Sequence, residues 1–332
     1  MKKILSISIA AYNVDKFLEK ALRSLLVSDD YLNKLEVFIV DDGSTDRTVD
    51  IANKYIHMYS DSFFLISKEN GGYGSTINAA LKKATGKYFK LLDGDDWFKN
   101  ENLECFIDFL EETDSDIVLS PYETINDVSG DIKFFKANEK IDSKCIDIER
   151  AQFDSDGIAM HMLAVKTSVL VENHIQITEH CFYTDQEFNF FSTLSASTVS
   201  RFAKPIYQYR LGLSGQSISI EGYLKHYKDL LTLTEKMCPV YEKAINNVGS
   251  NKQELLSIYI RAIVGFVYLV YCRNKDKDSL VKFDYHLKKD YPSVYSASNS
   301  YKKVKLLRMM NFTPFDFLAD VIVKKSQNGL NN

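Results

Sequence analysis

The chain has 332 residues, enough for one large domain or two. Hydrophobic residues make up 45% of it, which excludes global disorder, and a formal net charge of −4 argues against a protein built to coat nucleic acid. Five cysteines (Cys105, Cys145, Cys181, Cys238 and Cys272) lie scattered without a CxxC pair, so free thiols in a reducing cytoplasm are expected rather than disulfides or a zinc site.

Residues 4–10 are apolar and β-branched and predict a first buried strand. The start, MKKILSISIAAYN, has no convincing cleavage site and reads as strand, not as a secretory signal. Asn13 or Asp15 is placed to cap a helix with Phe17, Leu18, Ala21, Leu22, Leu25 and Leu26 on one face. A second strand over 35–40 runs into Asp41-Asp42-Gly43-Ser44. The next helix carries Val49, Ala52, Ile56 and Tyr59 as its inward stripe, with Ser44 or Thr45 as its cap. A third strand spans 63–67, and KENGGYG leads into a helix with Ile77, Ala80, Leu81 and Ala84 inward and Gly86 as its stop. Residues 88–92 form the fourth strand.

Strand and helix thus alternate four times, which predicts parallel strands joined by right-handed crossovers with helices on both faces. Ligands of such sheets sit beyond the carboxyl ends of the strands. Every polar cluster lies at such an end: Tyr12-Asn13, Asp41-Asp42-Gly43-Ser44, Asn70-Gly71-Gly72 and Asp93-Gly94-Asp95-Asp96.

The last cluster sets three carboxylates within four positions, and two such charges ~4 Å apart repel by about 4 kcal/mol near a protein surface. A divalent cation, Mg²⁺ or Mn²⁺, would relieve that repulsion and keep positions open for phosphate oxygens. Gly94 permits the tight turn that lets Asp93 and Asp95 face one point. The competing reading is a solvated acidic turn with Asp96 capping a helix that begins near Asn100. Asp41-Asp42 poses the same choice between a turn and a carboxylate that accepts hydrogen bonds from a base or ribose. No GxGxxG follows the first strand and no GxxxxGK[ST] occurs, so a nucleotide diphosphate would be bound through metal, not through a glycine-rich cradle. The six histidines show no metal spacing; His161, His174 and His180 read as structural or surface residues.

AAYN at 10–13, VDDGSTDRT at 40–48, NGG at 70–72 and ATGKYFKLLDGDD at 84–96 together resemble the family 2 glycosyltransferases, in order and in spacing. The resemblance covers about the first two-thirds of the chain. It implies a GT-A type, Rossmann-like sheet with helices on both faces over residues 1–221, and inverting transfer of a sugar from a nucleotide-diphosphate donor, UDP-linked by family habit. Nucleotide binding then falls to Ala11, Tyr12, Asn13, Asp41, Asp42, Gly72, Asp93 and Gly94. Tyr12 would pack near the base, and Asp41 or Asp42 would bond the base or ribose. Asp95, with Asp93 as partner, would hold Mn²⁺ or Mg²⁺ against the diphosphate, unless Asp93 reaches the ribose or sugar. Asp96 and Trp97 are further candidate donor or acceptor contacts.

CFYTDQEFNFF at 181–191 resembles the family's second acidic motif, with Thr184 in the glutamate place and Asp185 matching the general base. The alternative is that Asp185 caps the helix holding Phe188, Phe190 and Phe191, and Glu187 is a fallback base. YRLGLSGQSIS at 209–219 resembles the segment closing the domain, with Arg210 and Ser217 as candidate contacts over the diphosphate. Departures are Ala10 and Asn100 where proline is usual, and Ile77 where many members carry a basic residue.

From Gly222 the rhythm changes to helical periodicity, so residues 222–332 are expected to form a helical region. AIVGFVYLVYC at 262–272 is too short to span a bilayer and reads as a core helix. From Arg273 onward there are twelve Lys/Arg against six Asp/Glu, and YKKVKLLRMMNF mixes basic with apolar residues. Peripheral contact with the inner face of the cell membrane and ordinary packing both fit that stretch. A glycan or lipid-linked acceptor at a cytoplasmic enzyme is the expectation from family habit. A nucleotidyltransferase, or a non-catalytic nucleotide-sugar-binding protein, is the alternative; the former predicts a glycine-rich basic signature that AAYNVDKF lacks.

Overall fold

The structure, a computed structural model, describes residues 2–141, 144–154, 157–212, 220–317 and 319–320. The chain divides into two compact units, 1–214 and 215–332.

The first unit holds an eight-stranded sheet in the order β3-β2-β1-β4-β10-β6-β11-β9. Its strands are β1 (Leu5–Ala11), β2 (Leu35–Asp41), β3 (Phe63–Ser67), β4 (Tyr88–Asp93), β6 (Ile117–Leu119), β9 (Ile146–Asp147), β10 (Leu163–Lys166) and β11 (Thr198–Arg201). The remaining strands, β5 (Trp97–Phe98), β7 (Tyr122–Asn126), β8 (Ile132–Phe135) and β12 (Tyr207–Leu211), form a second sheet in the order β5-β12-β7-β8. The helices are α1 (Leu18–Arg23), α2 (Asp29–Leu32), α3 (Thr48–Met58), α4 (Tyr73–Leu81), α5 (Asn100–Glu112), α6 (Thr167–Glu172) and α7 (Thr184–Ser195).

The four expected strands are present and mutually parallel, β1 lying between β2 and β4. The near-continuous apolar runs of β1, β2 and β4 are buried, whereas β3, at the sheet edge, buries only Phe63. Beyond β4 the sheet departs from the parallel pattern: β10 runs antiparallel to both β4 and β6. The second sheet is assembled from short strands far apart in sequence, β5 and β12 being separated by more than a hundred residues, which the strand-helix rhythm could not announce.

Several local expectations are corrected. Helix α1 is only six residues long and takes no side-chain cap; Asn13 and Asp15 instead tie the β1–α1 loop to the β2–α3 loop. Helix α3 buries Thr48, Ala52 and Tyr55, one step round from the expected stripe, and Asp46, not Ser44 or Thr45, accepts the Thr48 amide at 2.9 Å. Helix α4 ends at Leu81, before Gly86. Gly86 is required by close approach: a Cβ there would lie 2.7 Å from the Ser6 backbone nitrogen.

The second unit is helical: α8 (Ile220–Lys225), α9 (Tyr227–Ala244), α10 (Ser250–Arg273), α11 (Lys277–Asp290), α12 (Pro292–Ser298) and α13 (Lys302–Met309). Helix α10 is its centre, packed against α9, α11 and α12. At 24 residues it is longer than its apolar stretch suggested, and by length and composition alone could cross a membrane. Leu256, Ile260, Val264 and Val267 are buried in the unit, as a core helix requires.

Candidate active site

The β-strand register builds the site. Ala11 of β1 pairs with Asp41 of β2, and Ala10 pairs with Asp93 of β4, so three strand tips end side by side. The chain moves outward from β1 to β2 to β3, then returns to the far side of β1 as β4. The reversal opens a crevice between β1 and β4, where open α/β sheets take their ligands.

The acidic turn after β4 sits in that crevice, and its three carboxylates have different surroundings. Gly94 donates its amide to Ala10 O at 3.1 Å, and a Cβ at 94 would meet that same oxygen at 2.7 Å. Only glycine permits this approach. Asp96 is buried, and both its oxygens are occupied: Oδ2 accepts from the Tyr207 hydroxyl at 2.7 Å and Oδ1 from the Arg210 amide at 2.7 Å. Asp96 therefore anchors the turn to β12. It does not cap α5, which begins after Lys99 without a side-chain cap. Asp93 accepts from the Tyr73 hydroxyl at 2.6 Å through Oδ1 alone, while its amide donates to Tyr207 Oη at 3.1 Å. The Asp95 carboxylate takes no side-chain hydrogen bond among the described residues.

Burial, together with the neighbouring Asp95 carboxylate, pushes Asp93 up to about 7. Burial likewise raises Asp95, and raises Asp96 well above the usual carboxylate range. Partly buried carboxylates with unused oxygens are a hard donor set, and they fit Mg²⁺ or Mn²⁺. Ligand atoms of Asp93, Asp96 and His161 also lie within 4.8 Å of one another. Asp96 already spends both oxygens on protein donors, so the free oxygens favour Asp93 and Asp95 as the pair that would hold a cation.

His161, which reads from the sequence as a structural or surface residue, borders this cluster. Its ring stacks on Tyr122 and Tyr209, with centroids 5.0 and 4.3 Å away, and meets Tyr207 edge-on. Burial, and then Lys90, depress it to about 3, so the imidazole is neutral. Lys90 is fully buried in the middle of β4, and its ammonium donates to His161 O at 2.9 Å and Leu163 O at 3.1 Å. Burial lowers it to about 7.

On the β2 side the two aspartates divide their roles. Asp42 accepts from Lys68 Nζ at 2.7 Å, the Gly71 amide at 2.9 Å and the Gly72 amide at 2.8 Å. It fixes the Asn70-Gly71-Gly72 loop. Among the described residues Asp41 accepts only the Ser44 amide, at 3.0 Å through Oδ1, which leaves Oδ2 for a ligand donor. Gly72 has φ 79°, a left-handed value that suits glycine, and its loop packs on His180. Asn13 holds the Thr45 amide at 2.8 Å, and the exposed Tyr12 ring stands beside it.

Asp185 lies in the first turn of α7, and burial raises its carboxyl. It is near enough to Asp93 for each acidic charge to bear on the same crevice. The N-cap is Tyr183, in the left-handed region at φ 63°, and no side chain caps the helix, so the capping explanation of Asp185 falls. Glu187 is fully buried, and both its oxygens accept the Thr178 amide at 3.3 and 3.0 Å, which removes it as a fallback base. The loop before α7 is tied to α4: Asn78 bonds the Ile177 amide and carbonyl at 2.9 and 2.8 Å. At Gly74 a Cβ would overlap Thr178 O.

Trp97 carries the Lys20 ammonium 3.1 Å from its ring centroid. Arg210 is buried, with its guanidinium between the Trp97 and Phe17 rings; it donates to Asp95 O at 2.7 Å and pairs with Asp127. It thus braces the acidic turn. Ile77 is buried in α4, and Ser217 lies outside the described residues. Tyr73 and Tyr207 were not foreseen, because nothing local marks a tyrosine that bonds a carboxylate 20 or 111 residues away.

An open sheet switching direction beside an acidic turn at its rim is the layout of the GT-A class of nucleotide-sugar folds. Residues 6–169 match the family model described as glycosyl transferase family 2, and the chain belongs to that family. It is 27% identical over 215 residues to the poly(ribitol-phosphate) beta-N-acetylglucosaminyltransferase TarS of Staphylococcus aureus, covering 64% of this chain and 36% of that protein. The chain therefore spans about a third of that relative's length. The crystal structure of S. aureus TarS 1–349 with UDP-GlcNAc has a TM-score of 0.63 at 20% identity, over 93% of this chain and 92% of the other. A mannosyltransferase of Pyrobaculum calidifontis, in complex with GDP-Man and Mn²⁺, has a TM-score of 0.55 at 14% identity, over 97% and 87%. Both likenesses establish the GT-A fold.

Proposed function

We propose that this protein is an inverting glycosyltransferase that moves a sugar from a UDP-linked donor to a hydroxyl of a cell-surface polymer, of which a polyol-phosphate chain is the first candidate. The observation that carries the reading is the convergence of Asp93, Asp95 and Asp185 on one crevice, with Asp96 and Asp42 diverted to structural bonds. The S. aureus relative, which bears the polymer in its name, supports the acceptor class.

In this reading Asp41 takes donors from the base or ribose and the Tyr12 ring faces the base. Asp93 and Asp95 would hold Mn²⁺ or Mg²⁺, which when bound supplies positive charge to the diphosphate. Asp185 accepts the proton of the acceptor hydroxyl as its oxygen attacks the anomeric carbon. The bond from that carbon to the diphosphate oxygen breaks, its electron pair leaves with the nucleotide, and the configuration inverts. The raised carboxyl of Asp185 makes it a better base than an exposed aspartate, and Tyr73 orients Asp93. Action at the cytoplasmic side, with peripheral membrane contact through residues 222–332, belongs to the same proposal.

The test is UDP release from UDP-GlcNAc and UDP-glucose with a poly(ribitol-phosphate) acceptor and Mn²⁺ or Mg²⁺. Release that needs both acceptor and metal, with inverted product by NMR, is expected. Absence of both turnover and metal-dependent thermal stabilisation by UDP would overturn the reading.

A further inference from the structure

The second unit contains a groove that the transferase reading does not use. It has a volume of about 440 Å³, within the range of about 300–1,000 Å³ typical of organic-ligand pockets. Ala262, Gly265, Phe266 and Leu269 of α10 form one wall, and Val304 and Leu307 of α13 the other. Gly265 makes the geometry possible: a Cβ there would lie 2.8 Å from the Tyr301 ring, which rests directly on α10. The lining is almost wholly hydrocarbon. Of its two tyrosines, Tyr268 already has its hydroxyl bonded to Asp284.

Charge is confined to one edge. Lys302 and Lys303 stand there, exposed and without an ion pair among the described residues. No acidic residue occurs between positions 291 and 315. The outward face continues with exposed Lys305 and with Leu306, Met309, Met310 and Phe317, of which Met309 is 74% and Phe317 69% exposed. Cations interleaved with exposed apolar side chains are the pattern of an interfacial helix at an anionic leaflet.

We infer that this groove takes one aliphatic chain of an anionic membrane phospholipid, with Lys302 and Lys303 at its phosphate. The inference rests on the peripheral-contact reading above and specifies its ligand. A peptide occupant would bury backbone N–H and C=O groups against walls that offer almost no partners, whereas a hydrocarbon chain needs none. A second copy of this chain would bring one lysine face against another, which repel.

The experiment floats the full-length protein with vesicles of phosphatidylcholine, alone or mixed with phosphatidylglycerol, the latter carrying a diazirine on one acyl chain. Binding to the anionic vesicles only, with photo-crosslinks in peptides covering 262–269 or 301–307, is expected. Lys302→Glu with Lys303→Glu should weaken that binding more than tenfold, at roughly fivefold per charge lost. Ala262→Phe, checked for an unchanged thermal midpoint, should abolish the crosslinks. Anionic binding with crosslinks elsewhere overturns the groove while leaving surface contact standing. Equal binding to both vesicles overturns the role of the lysines, and no binding overturns both readings. UDP-sugar turnover in solution, measured alongside, reports on the transferase site separately.

Discussion

The acidic turn of the first unit and the basic face of α13 in the second both crowd like charges into a short stretch, and the chain treats them in opposite ways. At the rim, Asp96 is buried and bonded through both oxygens, Asp93 through one, and Asp95 only to its own backbone among the described residues. On α13, Lys302, Lys303 and Lys305 stay in water, where screening makes their repulsion small. Only Arg308 turns inward, and it is paired with Asp284 at 2.6 Å and laid on the Tyr295 ring. The contrast teaches how to read clustered charge. A buried cluster has built-in donors for the members that hold structure, and those left with few donors are the candidates for a ligand.

The largest expected effect tests the proposed base, whose carboxylate accepts from the Gln186 side-chain amide at 3.0 Å. Asp185→Asn should lower turnover by about 10²- to 10⁴-fold, the usual contribution of a positioned base, while donor binding by calorimetry is unchanged. Retained turnover would return Asp185 to a merely structural role.

Next come the charges that are bonded. Asp96→Ala leaves the Tyr207 hydroxyl and the Arg210 amide without their acceptor, and should cost about 2–4 kcal/mol in urea unfolding. Asp95→Asn should cost less than about 0.5 kcal/mol, or raise stability, because it removes a charge that burial disfavours; it should also remove metal-dependent stabilisation by UDP. Equal costs for the two variants would erase the distinction. In the second unit, Arg308→Met leaves Asp284 buried and unpaired, and a loss of about 3–5 kcal/mol is expected. Tyr207→Phe, which removes one hydroxyl donor and keeps the ring, should fall near 1–2 kcal/mol by the same unfolding measurement.

How much of this was legible in the sequence follows from the range of each interaction. The strands and the tips that carry Asp41, Asp93 and Asp95 could be read because apolar runs and turn residues are local signals. The division of labour within each acidic pair could not. Asp42 was indistinguishable from Asp41 until Lys68, Gly71 and Gly72 came round to it, and Asp96 looked like a helix cap until β12 supplied Tyr207 and Arg210. Asp46 shows the same limit at short range: Ser44 and Thr45 were the candidate caps, and backbone geometry gave the Thr48 amide to Asp46 instead. Lys90 and His161 are long-range cases. A lysine in the middle of a buried strand is explained only by the carbonyls of residues 161 and 163.

The smallest expected effect closes the comparison from the basic side. Lys302→Ala with Lys303→Ala removes two cations that touch no acid among the described residues, so the urea midpoint should stay within about 0.5 kcal/mol of the parent. Membrane binding should nevertheless fall. A double variant that unfolds easily would mean that these lysines hold the helix in place, as Arg308 does. One that is equally stable but no longer floats with anionic vesicles would mean that they are kept free for a ligand, the role proposed for Asp95 at the other site.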